Sequence, residues 1–445
     1  MVKPCPRIIW NFARRLAEFW VPMERATFGG TMKHPLRFAN GIPAFAHWLL
    51  GFALIAAANQ TAPAQVQGVL VGPRVTVYDT KNHCQLIDIP DAPARAFVDY
   101  QGTVHLVSSH YVMWQNLGPT LETVKHSCEV AYRSDHDPNP ADFNDNTWLD
   151  SFYSIDGTNI VALGHMEYHG WEHPGECYEQ GNYSAACWYN GDTFHLSKDG
   201  GYHFGSFKPP ANYILSVPYP YIVNSGPEGY SIDTNIVKFG DWYYAVATGW
   251  GWPANCFFQE SNCLVYGGAS PIRTSDITDP TSWRGWNGQD FDVTFADPYP
   301  GPVGDPFEHI FYPIQTIAYV NAINFHPATN LFVATLIDPY NDFYGPPGLY
   351  LSTSPDLINW SQPTLVVTIA QLLAQEPPGN WTYAYFSLLD PDSTDPNFST
   401  IGDTPYLYYV RSDANDCCYV RVLFRQGIKL SWSQGKLDAI GITTR

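Results

Sequence analysis

An all-β fold is what this sequence predicts, on three observations. Turn formers and aromatics dominate: 35 Gly and 37 Pro are spread along 445 residues that also hold 29 Tyr, 25 Phe and 15 Trp. Charged residues make up only 15%, and little of the chain shows the apolar period of an amphipathic helix. One grammar also recurs five times: a strand opening near a polar or aromatic cluster, a turn, then a second strand. Radial sheets around an axis satisfy that grammar. The expected architecture is a single five-bladed β-propeller.

The chain starts with a segment outside that pattern. Residues Ile42 to Ala58 form an apolar run behind Lys33 and Arg37, and Ala62-Pro63-Ala64 follows as a small-residue cleavage pattern. Such an order reads as an export signal over 1–64, with Met32 as an alternative start. The propeller is expected over 65–445, monomeric, secreted or periplasmic, and off the membrane once the signal is removed.

Five first strands are expected at Ala94 to Asp99, Trp148 to Ser154, Tyr230 to Lys238, Tyr312 to Ala322 and Tyr383 to Asp390. Their partners are Thr103 to Ser108, Ile160 to Tyr168, Trp242 to Thr248, Leu331 to Ile337 and Tyr406 to Arg411. Arg74 to Tyr78 is expected to pair with Tyr419 to Phe424, so that the two ends close the ring in Velcro fashion and leave no open edge. Val367 to Gln375 reads as a short helix in a loop.

The second repeat carries the densest chemistry. Asp156-Gly157 is a strong hairpin signal between two aromatic and β-branched runs. The strand after it places His165, Glu167 and His169 at alternate positions, hence on one face. Two imidazoles flanking a carboxylate suit an acid–base site. They also suit a divalent ion, with His110, His309 or His326 completing the set.

Eight of nine cysteines lie after the leader, an even number that fits disulfides in an exported chain. Cys177 with Cys187 and Cys256 with Cys263 are short-loop pairs. Cys84 and Cys128 are expected to take Cys417 and Cys418, stapling the termini. No zinc-type Cys pattern is present.

Three turns share a form: Ser197 to Phe204, Thr274 to Trp283 and Ser354 to Trp360. Asp and Ser oxygens can bond the turn's own N–H groups while the aromatic seals the edge, a structural role. The S-x-D-L-x-x-W run at Ser354 resembles that of the five-bladed glycosidases, the arabinanase, xylosidase, invertase and levansucrase group. The turn at Ser197 resembles the sialidase Asp-box. Further stretches, at Asp91 to Asp99, Ser108 to Tyr111, Ala162 to Gly170, Ala186 to Asn190 and Thr234 to Val237, resemble a family of exported bacterial propeller proteins. The chain departs from that pattern at Asp233-Thr234, where a Pro-Ser pair is expected before Asn235.

Glycoside hydrolysis needs an ionised carboxylate and a protonated one across the scissile bond. The expected assignment is Asp91 as base held near Arg95, Glu167 as acid, and Asp233 as the carboxylate that tunes the acid. Arg95, His110, His165, His169, Asn235, Trp250, Tyr312 and Tyr385 are the expected substrate-binding residues. No cofactor is expected, with a divalent ion such as calcium in the central channel as the alternative.

Charge narrows the partner class. The formal net charge is −19, and the first 64 residues carry +5, so the rest carries −24. Such a body repels nucleic acid and anionic surfaces. A neutral oligo- or polysaccharide, furanosides included, is the expected substrate. Two alternatives stand beside the hydrolase: a sialidase-like or polysaccharide-lyase propeller, with Arg95, Arg273 and Arg411 as a carboxylate clamp, and a non-catalytic glycan-binding propeller.

Overall fold

The computed structural model describes residues 64–232, 234–251, 266–314, 316–339, 341 and 343–433. The leader, Asp233 and the Cys256–Cys263 pair lie outside the described residues, as do the side chains of Trp250, Cys417 and Cys418. The described chain is all-β apart from 3₁₀ turns and one short helix, Ile369–Leu373. That helix falls inside the predicted helical run and is fixed by a capping box between Thr368 and Gln371. Among the described residues, no helix is long and apolar enough to cross a membrane.

Strand β1 (Gln65–Asp79) comes first in the chain and pairs with its last described strand. Next, β2 (Arg95–Val98), β3 (Val104–Val107), β4 (Val112–Gly118) and β5 (Lys125–Arg133) form an antiparallel sheet in chain order. A larger sheet follows. It contains β6 (Asn146–Ser154), β7 (Ile160–His169), β8 (Trp188–Ser197), β9 (Tyr213–Ser216), β10 (Glu228–Ser231), β11 (Val237–Phe239), β12 (Trp242–Gly251), β13 (Tyr266–Thr274), β14 (Arg284–Trp286) and β15 (Phe291–Thr294). Its halves are joined where β10 runs parallel to β8. The third sheet is β16 (Val320–His326), β17 (Leu331–Asp338), β18 (Gly348–Ser354) and β19 (Thr364–Thr368). The last is β20 (Trp381–Leu389), β21 (Tyr406–Asp413), β22 (Asp416–Ser433) and then β1.

Apolar cores lie between successive sheets. Phe97, Met113 and Phe152 join the first to the large sheet. Val237, Ile323 and Trp360 join the large sheet to the third, and Val333, Leu351 and Phe386 join the third to the last. Ala96, Leu106, Tyr408 and Leu423 return from the last sheet to the first. Full burial of each large apolar side chain is worth about 1.5–3 kcal/mol, so these seams hold the sheets together.

The first strands are also laced to one another. β6, β16 and β20 each carry a bulge, at Asp150, Asn321 and Tyr385–Phe386 respectively. A bulge leaves backbone groups without ladder partners. Arg95 supplies two of them: Nε donates to Asp150 O at 2.8 Å and Nη2 to Asn321 O at 2.7 Å. Asn321 Oδ1 accepts from Phe386 N–H at 3.2 Å. Arg95 is thus a buried hub, which corrects its expected place as the cation beside Asp91 and as a substrate ligand. Asn235 is corrected likewise. Its amide donates to Ile323 O at 2.7 Å and its carbonyl accepts from Ile323 N–H at 3.0 Å, bridging two sheets.

The predicted fourth opening is also corrected. Tyr312 is not in a strand, because its N–H donates to Trp286 O and Pro313 follows. Its half-exposed ring sits beside the outer strands of the large sheet. The strand begins at Val320 instead.

All three shared turns are structural as expected. In the second, Asp276 N–H donates to Thr274 Oγ1 at 2.9 Å. In the other two, the serine Oγ donates to its aspartate at 2.7 Å (Ser197–Asp199) and 3.0 Å (Ser354–Asp356). Their aromatics Phe204, Trp283 and Trp360 are buried.

Candidate active site

The hairpin β6–β7 forms one wall. Asp156 Oδ1 accepts the N–H groups of Thr158 and Asn159 at 2.9 and 2.7 Å, and Gly157 takes the turn's positive φ of 81°. Along β7 the burial alternates after Gly164, with Met166 and Tyr168 buried and His165, Glu167 and His169 half-buried on the other face. Glu167 lies between the two imidazoles: Oε2 is 2.8 Å from His169 Nε2 and Oε1 is 3.5 Å from His165 Nε2.

Each histidine is oriented by a neighbouring element. The Asn190 amide donates to His165 Nε2 at 2.6 Å, and Ser231 Oγ is 3.2 Å from its Nδ1. His169 Nδ1 faces Glu172 Oε1 at 3.5 Å, and Asn146 donates to Glu172 Oε2 at 3.1 Å. Burial opposes the charge on His169, but the bonds to Glu167 and Glu172 raise it to about 9. Burial likewise opposes the Glu172 charge, yet His169 holds that carboxyl down at about 2. Trp171 stacks on His169 with ring centroids 4.2 Å apart.

The second wall is built around Asp91. The segment Pro90-Asp91-Ala92-Pro93 precedes β2 and is anchored by Ser108 Oγ donating to Ala92 O at 2.6 Å. Asp91 Oδ1 accepts from Tyr385 OH at 2.8 Å and from Arg421 Nη1. Asp91 Oδ2 is 3.3 Å from His110 Nε2. Tyr385 reaches it from the β20 bulge at φ 60°, a left-handed conformation that costs a non-glycine residue of order 1 kcal/mol. Burial pushes the Asp91 carboxyl up, but Arg421, His110 and Tyr385 hold it below the usual range. Burial pulls His110 down to about 4 against the Asp91 charge. Its Nδ1 is buried and accepts no hydrogen bond.

Trp148 links the walls. Its ring centroid is 5.1 Å from His110, 6.2 Å from His165 and 6.3 Å from His169. The structure thus brings together Asp91, His110, His165, Glu167, His169 and Tyr385 among the predicted residues. Arg95 and Asn235 instead bond backbone groups of neighbouring strands, and Tyr312 lies beside Gly288. His309 and His326 bond elsewhere, to Thr294 O at 2.7 Å and Thr329 Oγ1 at 2.8 Å.

The residues that sequence reasoning missed are Arg421, Glu172, Asn146, Asn190 and Ser231. Arg421 left a trace, a lone cation in the apolar run Tyr419 to Phe424. The others are ordinary polar residues with no local signature.

The cysteine expectation needs one correction. Cys84 bonds Cys128, not a C-terminal cysteine. Their Cα atoms are 5.5 Å apart. Cys177–Cys187 forms as expected.

No protein-family model and no curated sequence matches this chain. Its fold is similar to solved structures of glycoside hydrolases. One is the GH43_1 enzyme of Xanthomonas citri, at 9% identity and TM-score 0.40, covering 78% of this chain and 88% of that one. Another is the α-L-arabinanase of Cellvibrio cellulosa, at 12% identity and TM-score 0.40, covering 76% and 90%. A third is the GH32 β-fructofuranosidase of Bombyx mori, at 11% identity and TM-score 0.41, covering 76% and 62%.

Proposed function

We propose that the chain is an exported glycoside hydrolase acting on a neutral glycan, built as a five-bladed propeller whose β1 closes the last blade. The observation that carries this reading is the pair of carboxylates, Asp91 ahead of β2 and Glu167 on β7, whose histidine partners His110 and His169 both pack near the Trp148 ring. Asp91 is the ionised partner, held so by Arg421 and Tyr385. It serves as base or nucleophile, and Tyr385 and His110 fix its orientation. Glu167 Oε2 lies 2.8 Å from His169 Nε2. That pair, rather than Glu167 by itself, protonates the leaving oxygen, with His165 lining the other side of Glu167. Trp148 offers a face for a sugar ring, whose C–H groups pack on aromatic surface. Two disulfides fit an oxidising compartment.

A second reading is favoured by one observation: both oxygens of Asp91 and Oε2 of Glu167 already have partners. A mouth whose carboxylates are mostly engaged suits a glycan-binding propeller. The sialidase-like reading loses its clamp. Arg95 is the buried hub, Arg273 lies over Trp242 and Phe291, and Arg411 pairs with Glu376.

The deciding experiment is a panel of chromogenic glycosides and polysaccharides tested with wild type, Asp91→Asn and Glu167→Gln. Cleavage lost in both variants supports the hydrolase. A variant as fast as wild type removes its carboxylate from the mechanism. No cleavage together with saturable glycan-array binding selects the second reading.

A further inference from the structure

A second cluster adjoins the proposed sugar site through Glu172, which also faces His169. His136 follows β5, Asp145 precedes β6, and Glu172 ends the 3₁₀ turn after β7. One ligand-type atom from each lies within 4.8 Å of the other two. Three such atoms at that spacing fit around one ion with bonds of about 2.0–2.3 Å.

The decisive atom is Asp145 Oδ1. Asp145 is 1% exposed. Its Oδ2 is satisfied, accepting from His169 N–H and lying 2.9 Å from His173 Nε2. Its Oδ1 has no hydrogen-bond donor; the nearest charged partner is His136 Nδ1 at 3.9 Å. A buried carboxylate oxygen without a donor is costly, and a cation in the gap removes that cost.

We propose that His136, Asp145 and Glu172 bind one divalent transition ion of the zinc or manganese class. One imidazole and two carboxylates are the donors such ions take, whereas calcium favours an all-oxygen set. The carboxylates are already oriented from behind, Asp145 by His173 and Glu172 by Asn146, as ligands of bound metals generally are. The His136 side chain is 45% exposed, so the ion can enter and keeps positions for water or a ligand hydroxyl. The ion ties the 134–145 loop to the turn after β7. This proposal stands whether or not the chain cleaves glycans.

The test is calorimetric titration of the chelator-treated full chain with Zn²⁺, Mn²⁺ and Ca²⁺, with Co²⁺ absorption as a spectroscopic readout. The expected result is one Zn²⁺ or Mn²⁺ per chain, a raised melting temperature, and at least tenfold weaker binding in His136→Ala and Asp145→Asn. His136 is exposed, so its variant is expected to fold even where Asp145→Asn does not. Three results overturn the proposal: no stoichiometric binding, unchanged affinity in His136→Ala, or binding lost in His165→Ala but kept in His136→Ala.

Discussion

Arg421, on the last described strand, pairs with Asp91, which lies ahead of the first strand of the first sheet. Some 330 residues separate them. The guanidinium is buried and also donates to Pro90 O at 3.3 Å, so this contact ties the site to the last described strand. Removing one partner of a buried pair leaves the other charge uncompensated. Arg421→Met is therefore expected to lose about 3–5 kcal/mol of stability in urea unfolding. A loss under about 1 kcal/mol, the range of exposed pairs, would contradict the buried assignment.

Arg95 should behave as a structural hub. Arg95→Met strands the carbonyls of Asp150 and Asn321 at the bulges, at about 1–3 kcal/mol each. The expected signature is a lowered urea midpoint. If the folded fraction keeps wild-type ligand affinity, Arg95 acts through the fold; a selective affinity loss with unchanged stability would assign it to substrate binding.

Glu167→Gln separates chemistry from binding. The amide keeps the shape but cannot exchange a proton with His169. A fall in kcat of about 10²–10⁴-fold with little change in KM is expected. Trp148→Ala should instead raise KM. The reverse split would assign Glu167 to substrate binding.

Glu228 sets a pH dependence of stability away from the site. It is fully buried, with Oε1 accepting from Ser225 at 2.8 Å, and burial raises its carboxyl to about 7 from 4.5. Folding thus favours the neutral acid. The stability this contributes is present below pH 4.5 and is lost as pH rises through 7. The loss amounts to about 3 kcal/mol at 1.36 kcal/mol per unit. Glu228→Gln is expected to flatten this descent, measured by unfolding at pH 5 and pH 8. An unchanged slope would show that Glu228 is not its source.

Peptide mapping under non-reducing conditions should recover Cys84 joined to Cys128. A Cys84 link to Cys417 or Cys418 would restore the terminal staple. The Cys84→Ser/Cys128→Ser double variant should lose about 2–4 kcal/mol.

Local pattern determined a good deal about this protein. Period-2 alternation placed Glu167 between two histidines on one face, because strand geometry allows nothing else. Asp156-Gly157 located its hairpin, and the Ser/Asp turns declared themselves as structural because their bonds are made within a few residues. Tertiary structure decided which distant groups met. It gave Asp91 the cation Arg421 instead of Arg95, though Arg95 is much nearer in sequence. The bulges at Asp150 and Asn321 left carbonyls that only a buried donor could satisfy, and Arg95 was the donor within reach. Such pairings depend on how sheets pack across the molecule, and no short window of sequence encodes that distance.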